Sequence, residues 1–353
     1  MSQSSVGAQA SAAWAADAAS VLEALHEAGE ALVARTEGWA AINSGSYEVE
    51  GLSRMRAALA DAFAVLPGAL SVEPLASTHR VRGDGETAAI EHGAALRVRV
   101  RPQAPIQVAL TGHYDTVFPA AHPFQKTYRE GAVLHGPGTA DMKGGLSVML
   151  GALAAFEAAP GAKHIGYEVL LSPDEEIGSP ASAALLAELG ARAHLGMTYE
   201  PSLADGALVD VRKGSGNYSL VFRGRAAHVG RAFADGRSAI IAAAAAALAL
   251  DALNGRREGV TFNVGAIDGG GPSNVVPDRA VLRFNVRAPD VESAAWAEGE
   301  IAQIAAVARD GVDAHLHGSF ARPPKPLTAP QRTMVAWTRE AGAGVGLDLK
   351  FQA

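Results

Sequence analysis

Gln107-Val108-Ala109-Leu110-Thr111-Gly112-His113-Tyr114-Asp115-Thr116 is the stretch on which the reading of the chain turns. The run Gln107–Leu110 is too short for a helix and gives way to Thr111-Gly112, so it reads as a buried strand running into a loop. His113 and Asp115 then stand just beyond the strand. Working outward, apolar residues recur with helical spacing over 16–35 (Val21, Leu22, Leu25, Leu32, Val33) and over 51–66 (Leu52, Met55, Leu59, Phe63). Leu96–Val100 has a strand pattern. Beyond the opening stretch come a helix at 144–158, a strand at His164–Leu171, a helix at Ala181–Leu189 and a strand at Ala193–Thr198. Strands alternating with helices predict an α/β fold with a mostly parallel sheet.

The rhythm changes near residue 207. Strand-like segments Ala207–Val211 and Asn217–Phe222 precede an Ala-rich helix at 237–253. Val260–Ile267, Ala280–Val286, a helix at 291–309 and a strand at Asp313–Phe320 follow. This β-β-α-β-β-α-β order suits a small α+β, ferredoxin-like domain with its helices on one sheet face. Pro-rich Arg322–Pro326 leads out, and 329–341 resumes helical spacing. The expected organisation is an α/β domain at 1–208 and 326–353, interrupted by an inserted α+β domain at 209–325.

Composition narrows the function classes. At roughly 150 residues per domain, 353 residues fit two domains. The absence of cysteine removes disulfide frameworks, thiolate zinc fingers, iron–sulfur clusters and cysteine nucleophiles together. Thirty Lys and Arg against 37 Asp and Glu give a formal charge of −7, contrary to a nucleic-acid binder that neutralises phosphates. The first twenty residues carry no Lys or Arg and no signal-peptide pattern. The longest apolar run, Ile240–Leu250, falls well short of the ~20 residues that span a bilayer. A soluble, cytoplasmic protein without nucleic-acid or membrane partners is the expectation.

Four segments place acidic or imidazole groups where predicted strands end or helices begin: Gly112–Thr116, Gly138–Gly145 (GTADMKGG), Pro173–Gly178 (PDEEIG) and Tyr199-Glu200-Pro201. Ligands of open α/β sheets gather at the carboxyl ends of strands. A histidine and several carboxylates converging there form the donor set of a zinc or cobalt pair. Singly, each has an ordinary reading: His113 as a hydrogen-bonded loop histidine, Asp141 as a helix N-cap, Glu175-Glu176 as a solvated acidic turn. Their conjunction favours the metal. No GxSxG elbow and no HExxH helix is present, and Gly269–Gly271 lacks the context of a nucleotide loop. Histidines 26, 79, 92, 122, 135, 164 and 194 read as surface or structural.

GHYDTVFP (112–119), HGPGTADMKGGL (135–146), SPDEEIGS (172–179), YEPS (199–202), RKGSGNYSLVFRGRAAHVG (212–230) and GGGPSNVVPDRA (269–280) stand in an order that resembles the di-zinc metallopeptidase and aminoacylase family. That family includes glutamate carboxypeptidase (carboxypeptidase G), acetylornithine deacetylase and succinyl-diaminopimelate desuccinylase. The YEP and RKG forms are most similar to the glutamate carboxypeptidase branch. The resemblance implies two divalent ions, zinc or cobalt, with His113 and Glu200 on one, Glu176 on the other and Asp141 bridging. It further implies that Asp115 orients His113, that a cis peptide follows Asp141, and that Glu175 is the general base toward a metal-bridged water. In the inserted domain it implies that His228 reaches across a homodimer to the developing oxyanion, and that Asn274, Arg287 and Lys213 hold the substrate. The implied reaction is cleavage of an amide bond in an N-acyl amino acid or a C-terminal, glutamate-like residue. The alternatives are an acetylornithine-type deacylase and a degenerate, non-catalytic binding protein.

Members of the family carry one further histidine ligand, after a Gly-rich serine–aspartate motif, and neither precedes Ala353 here. His315 and His317 fall in the last predicted strand of the inserted domain and do not match that ligand. The catalytic domain is therefore expected to lack its closing segment, and this polypeptide is expected to hold the second ion weakly and turn over little.

Overall fold

Buried strands need helices on both faces, and the first half of the chain supplies both. A computed structural model describes residues 21–159, 161–307 and 311–352. The strands Ala69–Pro74 (β1), Ala94–Val100 (β2), Ile106–His113 (β3), Ile165–Ser172 (β4) and Leu195–Thr198 (β5) form one sheet in the order β1-β2-β4-β3-β5. β3 runs parallel to β4 and to β5, whereas β2 is antiparallel to both β1 and β4. Four strands thus point one way and β2 alone opposes them, as the mostly parallel expectation requires.

Side-chain alternation divides the sheet into two faces. Leu96, Val98, Val100, Tyr167, Val169 and Leu171 pack with residues of helices Gly29–Ala40 (α1), Val49–Phe63 (α2) and Gly144–Ala158 (α3). Ala95, Ala109 and Leu170 pack with Leu189 of helix Ala183–Arg192 (α4) on the other face. That second face is partly ionic: buried Arg97 lies 3.1 Å from Glu168. The helix expected over 16–35 begins outside the described residues, and α1 carries the helical segment on to Ala40.

The second rhythm folds as a separate four-stranded sheet. Gly214–Arg223 (β6), Thr261–Gly269 (β7), Arg279–Ala288 (β8) and Asp313–Arg322 (β9) lie in the order β7-β8-β6-β9, all antiparallel. Helices Ala239–Asp251 (α5) and Val291–Ala306 (α6) join one apolar cluster with Tyr218, Leu220, Phe222, Leu282, Phe284 and Val286, the alternate residues of one face. This β-α-β-β-α-β arrangement is ferredoxin-like. The strand expected at Ala207–Val211 shrinks to Leu208–Val209. It pairs in parallel with Phe351–Gln352 instead of entering the sheet, because the apolar stretch ends at Asp210.

Two compact units result. One contains the chain up to Thr78 together with Ile90–Ala207 and Trp337–Lys350. The other contains His79–Ala89, Leu208–Ala336 and the chain from Phe351. Residues 79–89 are a hairpin the sequence patterning does not reveal. It covers the face of the second sheet opposite α5 and α6, where Gly85 approaches Val221 and Glu86 pairs with Arg223 and Arg279.

The start of α3 bears directly on the chemistry of the first unit. A Cβ on Gly144 would meet the Thr139 carbonyl oxygen at 2.3 Å, and one on Gly145 would meet the Tyr199 carbonyl oxygen at 1.9 Å. The glycine pair lets α3 start against the backbone that carries Glu200, immediately after the turn that carries Asp141. Because a backbone oxygen cannot swing away as a side chain can, G145A should destabilise the protein by ~1–3 kcal/mol in denaturant unfolding. A variant as stable as the parent would contradict this packing.

Candidate metal centre

Three neighbouring parallel strands end side by side, so the residues that follow them share one edge of the sheet. His113 is the last residue of β3 and Asp115 lies two residues beyond. Glu175 and Glu176 follow β4, and Glu200 follows β5. Asp141 arrives from the turn Thr139–Lys143 that enters α3, and the Asp141–Met142 peptide is cis, as the resemblance implied. One ligand atom from each of His113, Asp141 and Glu176 falls within 4.8 Å of the other two, the group among the described residues that could hold a metal ion.

Hydrogen bonding fixes which ring nitrogen is available. His113 Nδ1 lies 3.0 Å from the Asp115 backbone oxygen and 3.3 Å from Asp115 Oδ1. A carbonyl oxygen only accepts, so Nδ1 carries a proton and Nε2 is directed at the centre. Nε2 stands 2.9 Å from Asp141 Oδ1 and 3.7 Å from Glu200 Oε1. Asp115, fully buried, accepts from the Ser46 hydroxyl at 2.7 Å and from the amides of Glu175 and Glu176 at 3.1 Å each. The residue that orients the imidazole therefore also holds the backbone of the acidic turn.

The acids of that turn divide between two tasks. Asp174 is buried and accepts from the Ala181 and Ser182 amides and from the Ser182 hydroxyl, closing the path into α4. Glu175 and Glu176 are part-exposed. Asp174 is one of three acids in the PDEEIG segment, and only its bonds to residues seven and eight positions on separate its task from its neighbours'. Sequence reasoning also missed Ser46 and the buried Lys143, whose side chains join segments far apart in the chain.

Charge is concentrated here beyond what water and one imidazole can offset. Burial and the Asp141 charge push Glu176 up to about 7. Burial, opposed by the charge of His113 and aided by those of Asp141 and Glu175, takes Glu200 to about 7 as well. Burial alone would lower His113, but its bonds to Asp115 and Asp141 hold it up at about 11. A centre that binds protons so avidly is one that a divalent cation can satisfy. One imidazole nitrogen with convergent carboxylate oxygens is the donor set zinc or cobalt accepts, so the residues present fit a metal.

The candidate residues of the second unit form two groups. His228 pairs with Val275, and the Asn274 carbonyl accepts from the Val229 amide, so His228 and Asn274 lie together. His228 is exposed, and its Nδ1 accepts from the Gly230 amide at 3.1 Å, leaving Nε2 as the donor nitrogen of the neutral ring. Arg287 and Lys213 are at the opposite end of the sheet, since Gly214 pairs with Ala288 whereas Arg223 pairs with Arg279. The Arg287 guanidinium donates to Asn285 and the Lys213 amine donates to the Gly259 carbonyl. Within this unit Arg287 is not brought beside His228 and Asn274, because ten-residue strands separate them.

Among the described residues no helix is long and apolar enough to cross a membrane. Residues 109–311 match the family model described as peptidase family M20/M25/M40. Carboxypeptidase G2 of Pseudomonas sp. (strain RS-16) is 29% identical over 191 residues, 54% of this chain and 46% of that protein, so the match spans less than half of that relative's length. A succinyl-diaminopimelate desuccinylase of Xanthomonas campestris pv. campestris (strain 8004) is 34% identical over 265 residues, 69% of this chain and 68% of that protein. Among solved structures, the aminobenzoyl-glutamate utilization protein from Klebsiella pneumoniae superposes with a TM-score of 0.67 at 19% identity, over 94% of this chain and 86% of that one, a likeness of fold. The chain belongs to peptidase family M20/M25/M40.

Proposed function

We propose that this chain is a metal-dependent hydrolase that cleaves an amide bond in an N-acyl amino acid or in a peptide-like substrate ending in a glutamate-like residue. The observation that carries the reading is the clustering of His113, Asp141 and Glu176, with Glu200 beside them and Glu175 next in chain to a ligand. The names borne by two relatives, a carboxypeptidase and a desuccinylase, support amide cleavage adjoining a carboxylate-bearing product.

In this reading His113 Nε2 and Glu200 hold one zinc or cobalt ion, Glu176 contributes to a second, and Asp141 is shared. Such ions, when bound, polarise a carbonyl and acidify water. Glu175 takes up the proton of the attacking water and delivers it to the leaving amine. Its amide hydrogen bond to Asp115 keeps it next to the ligands. His228 offers Nε2–H to the oxygen on which negative charge develops, aided by Asn274, and it does so from the partner of a homodimer. Arg287 and Lys213 remain the candidates for the substrate carboxylate.

E175Q should lower kcat on an N-acyl-glutamate by ~10²–10⁴ while leaving zinc affinity unchanged. H228A should lose activity with zinc intact. Mixing the two inactive variants should restore about a quarter of parental turnover, because random pairing makes half the dimers mixed and each mixed dimer has one whole site. Restoration of nothing from the mixture would place His228 outside the partner's site.

The pKa directions give a stability test. Folding raises Glu176 and Glu200 from 4.5 to about 7, so they favour the folded state while protonated and cease to do so as pH rises through about 7. His113 is raised from 6.5 to about 11, so its contribution is fully present below 6.5 and declines above it. With EDTA present, the melting temperature should therefore fall as pH increases from about 5 to about 8, and the stabilisation added by zinc should grow over the same window. A zinc effect that is flat in pH would contradict the assigned ligands.

A further inference from the structure

Two buried polar side chains that no step of the proposed chemistry uses, Lys143 and Ser46, hold the loop that runs beside Asp115. Lys143 is completely buried, and its amino group donates to the Trp39 carbonyl at 3.1 Å and the Ile42 carbonyl at 2.8 Å. Its side chain fills a place where a similarly long apolar residue would avoid the desolvation of an amine, so what the lysine adds is directed hydrogen bonding. Its own amide bonds the Gly138 carbonyl at 2.7 Å, which ties it to the turn that carries Asp141.

The carbonyls it grips belong to the end of α1 and to Ile42, two residues beyond that helix. The loop that follows runs alongside the segment after β3. The Thr116 amide donates to the Ser44 carbonyl at 2.9 Å, the Ser46 amide donates to the Thr116 carbonyl at 3.2 Å, and Gly45 bridges in parallel to Thr116. At its end the Ser46 hydroxyl, in a residue 5% exposed, donates to Asp115 Oδ2 at 2.7 Å. A Cβ on Gly45 would meet the Phe118 carbonyl oxygen at 2.8 Å, so the loop sits hard against the chain that follows Asp115.

We propose that Ser46 and Lys143 are positioning residues of the metal centre: Lys143 anchors the loop at residues 43–46, and Ser46 clamps the Asp115 carboxylate that orients His113. The effect passes through Asp115 and neither residue touches an ion. This rests on the reading of His113 as a metal ligand.

The test is zinc affinity of the full chain, by competition with a chromophoric chelator, together with the visible spectrum of the cobalt-loaded protein. S46A should weaken zinc ~10–100-fold, the size expected for loss of a partner to a ligand-orienting group, and should alter the cobalt spectrum. S46T, which keeps the hydroxyl, should bind nearly as the parent does. In a D115A background S46A should add little further loss, because the clamp then has no acceptor to hold. K143M should weaken zinc in the same direction as S46A. Parental affinity in S46A, or an undiminished loss on the D115A background, overturns the proposal while leaving the metal reading standing. A parent chain that binds no zinc overturns both.

Discussion

The buried Asp115 carboxylate is the constraint on which the centre depends. It receives the Ser46 hydroxyl and the amides of Glu175 and Glu176, and it faces the imidazole of His113 from the side away from the acidic cluster. Three segments of chain are thereby held to one another by a single small group. Because the backbone carbonyl of the same residue takes the Nδ1 proton, the imidazole has one orientation, with Nε2 turned to Asp141 and the acidic cluster. Remove that carboxylate and the strand end, the acidic turn and the loop after α1 lose their common partner.

The sheet supplies what hydrogen bonds alone could not. Parallel neighbours β3, β4 and β5 deliver His113, the Glu175–Glu176 turn and Glu200 to one edge, and the glycines at 144 and 145 let α3 bring Asp141 against them. Burial first, and the charges of neighbouring carboxylates after it, make Glu176 and Glu200 hold protons near neutral pH that free glutamates release far below it. Burial and mutual repulsion make the same arrangement costly to an empty protein and favourable to a cation. The protonation of His113 in the metal-free chain is that demand met by the smallest cation available.

Much of this was legible in the sequence, for identifiable reasons. Strand runs ending in Gly-His, in Asp-Glu-Glu and in Tyr-Glu-Pro announce both the sheet and its reactive edge, since period and punctuation are local properties. The helix at 144–158 and the succession of strands and helices after Gly214 were readable in the same way, whereas the strand expected at 207–211 pairs outside the second sheet. What escaped depends on contacts distant in the chain. Ser46 is 69 residues from Asp115, and nothing in Ser44-Gly45-Ser46 announces a clamp. Lys143 looks like any lysine at a helix entrance until its burial is seen. The 79–89 hairpin belongs with a sheet whose first strand begins only at Gly214, so no local pattern could assign it. The separation of Arg287 from His228 likewise follows from strand register, which composition does not encode.

Anomalous diffraction at the zinc edge, from crystals of the full chain grown with zinc, tests the account most directly. The expected result is an ion bound by His113 Nε2 at ~2.0–2.1 Å, with carboxylate oxygens of Asp141 and Glu200 or Glu176 at ~2.0–2.2 Å. Zinc found elsewhere, with His113 Nε2 still hydrogen-bonded to Asp141, would contradict it.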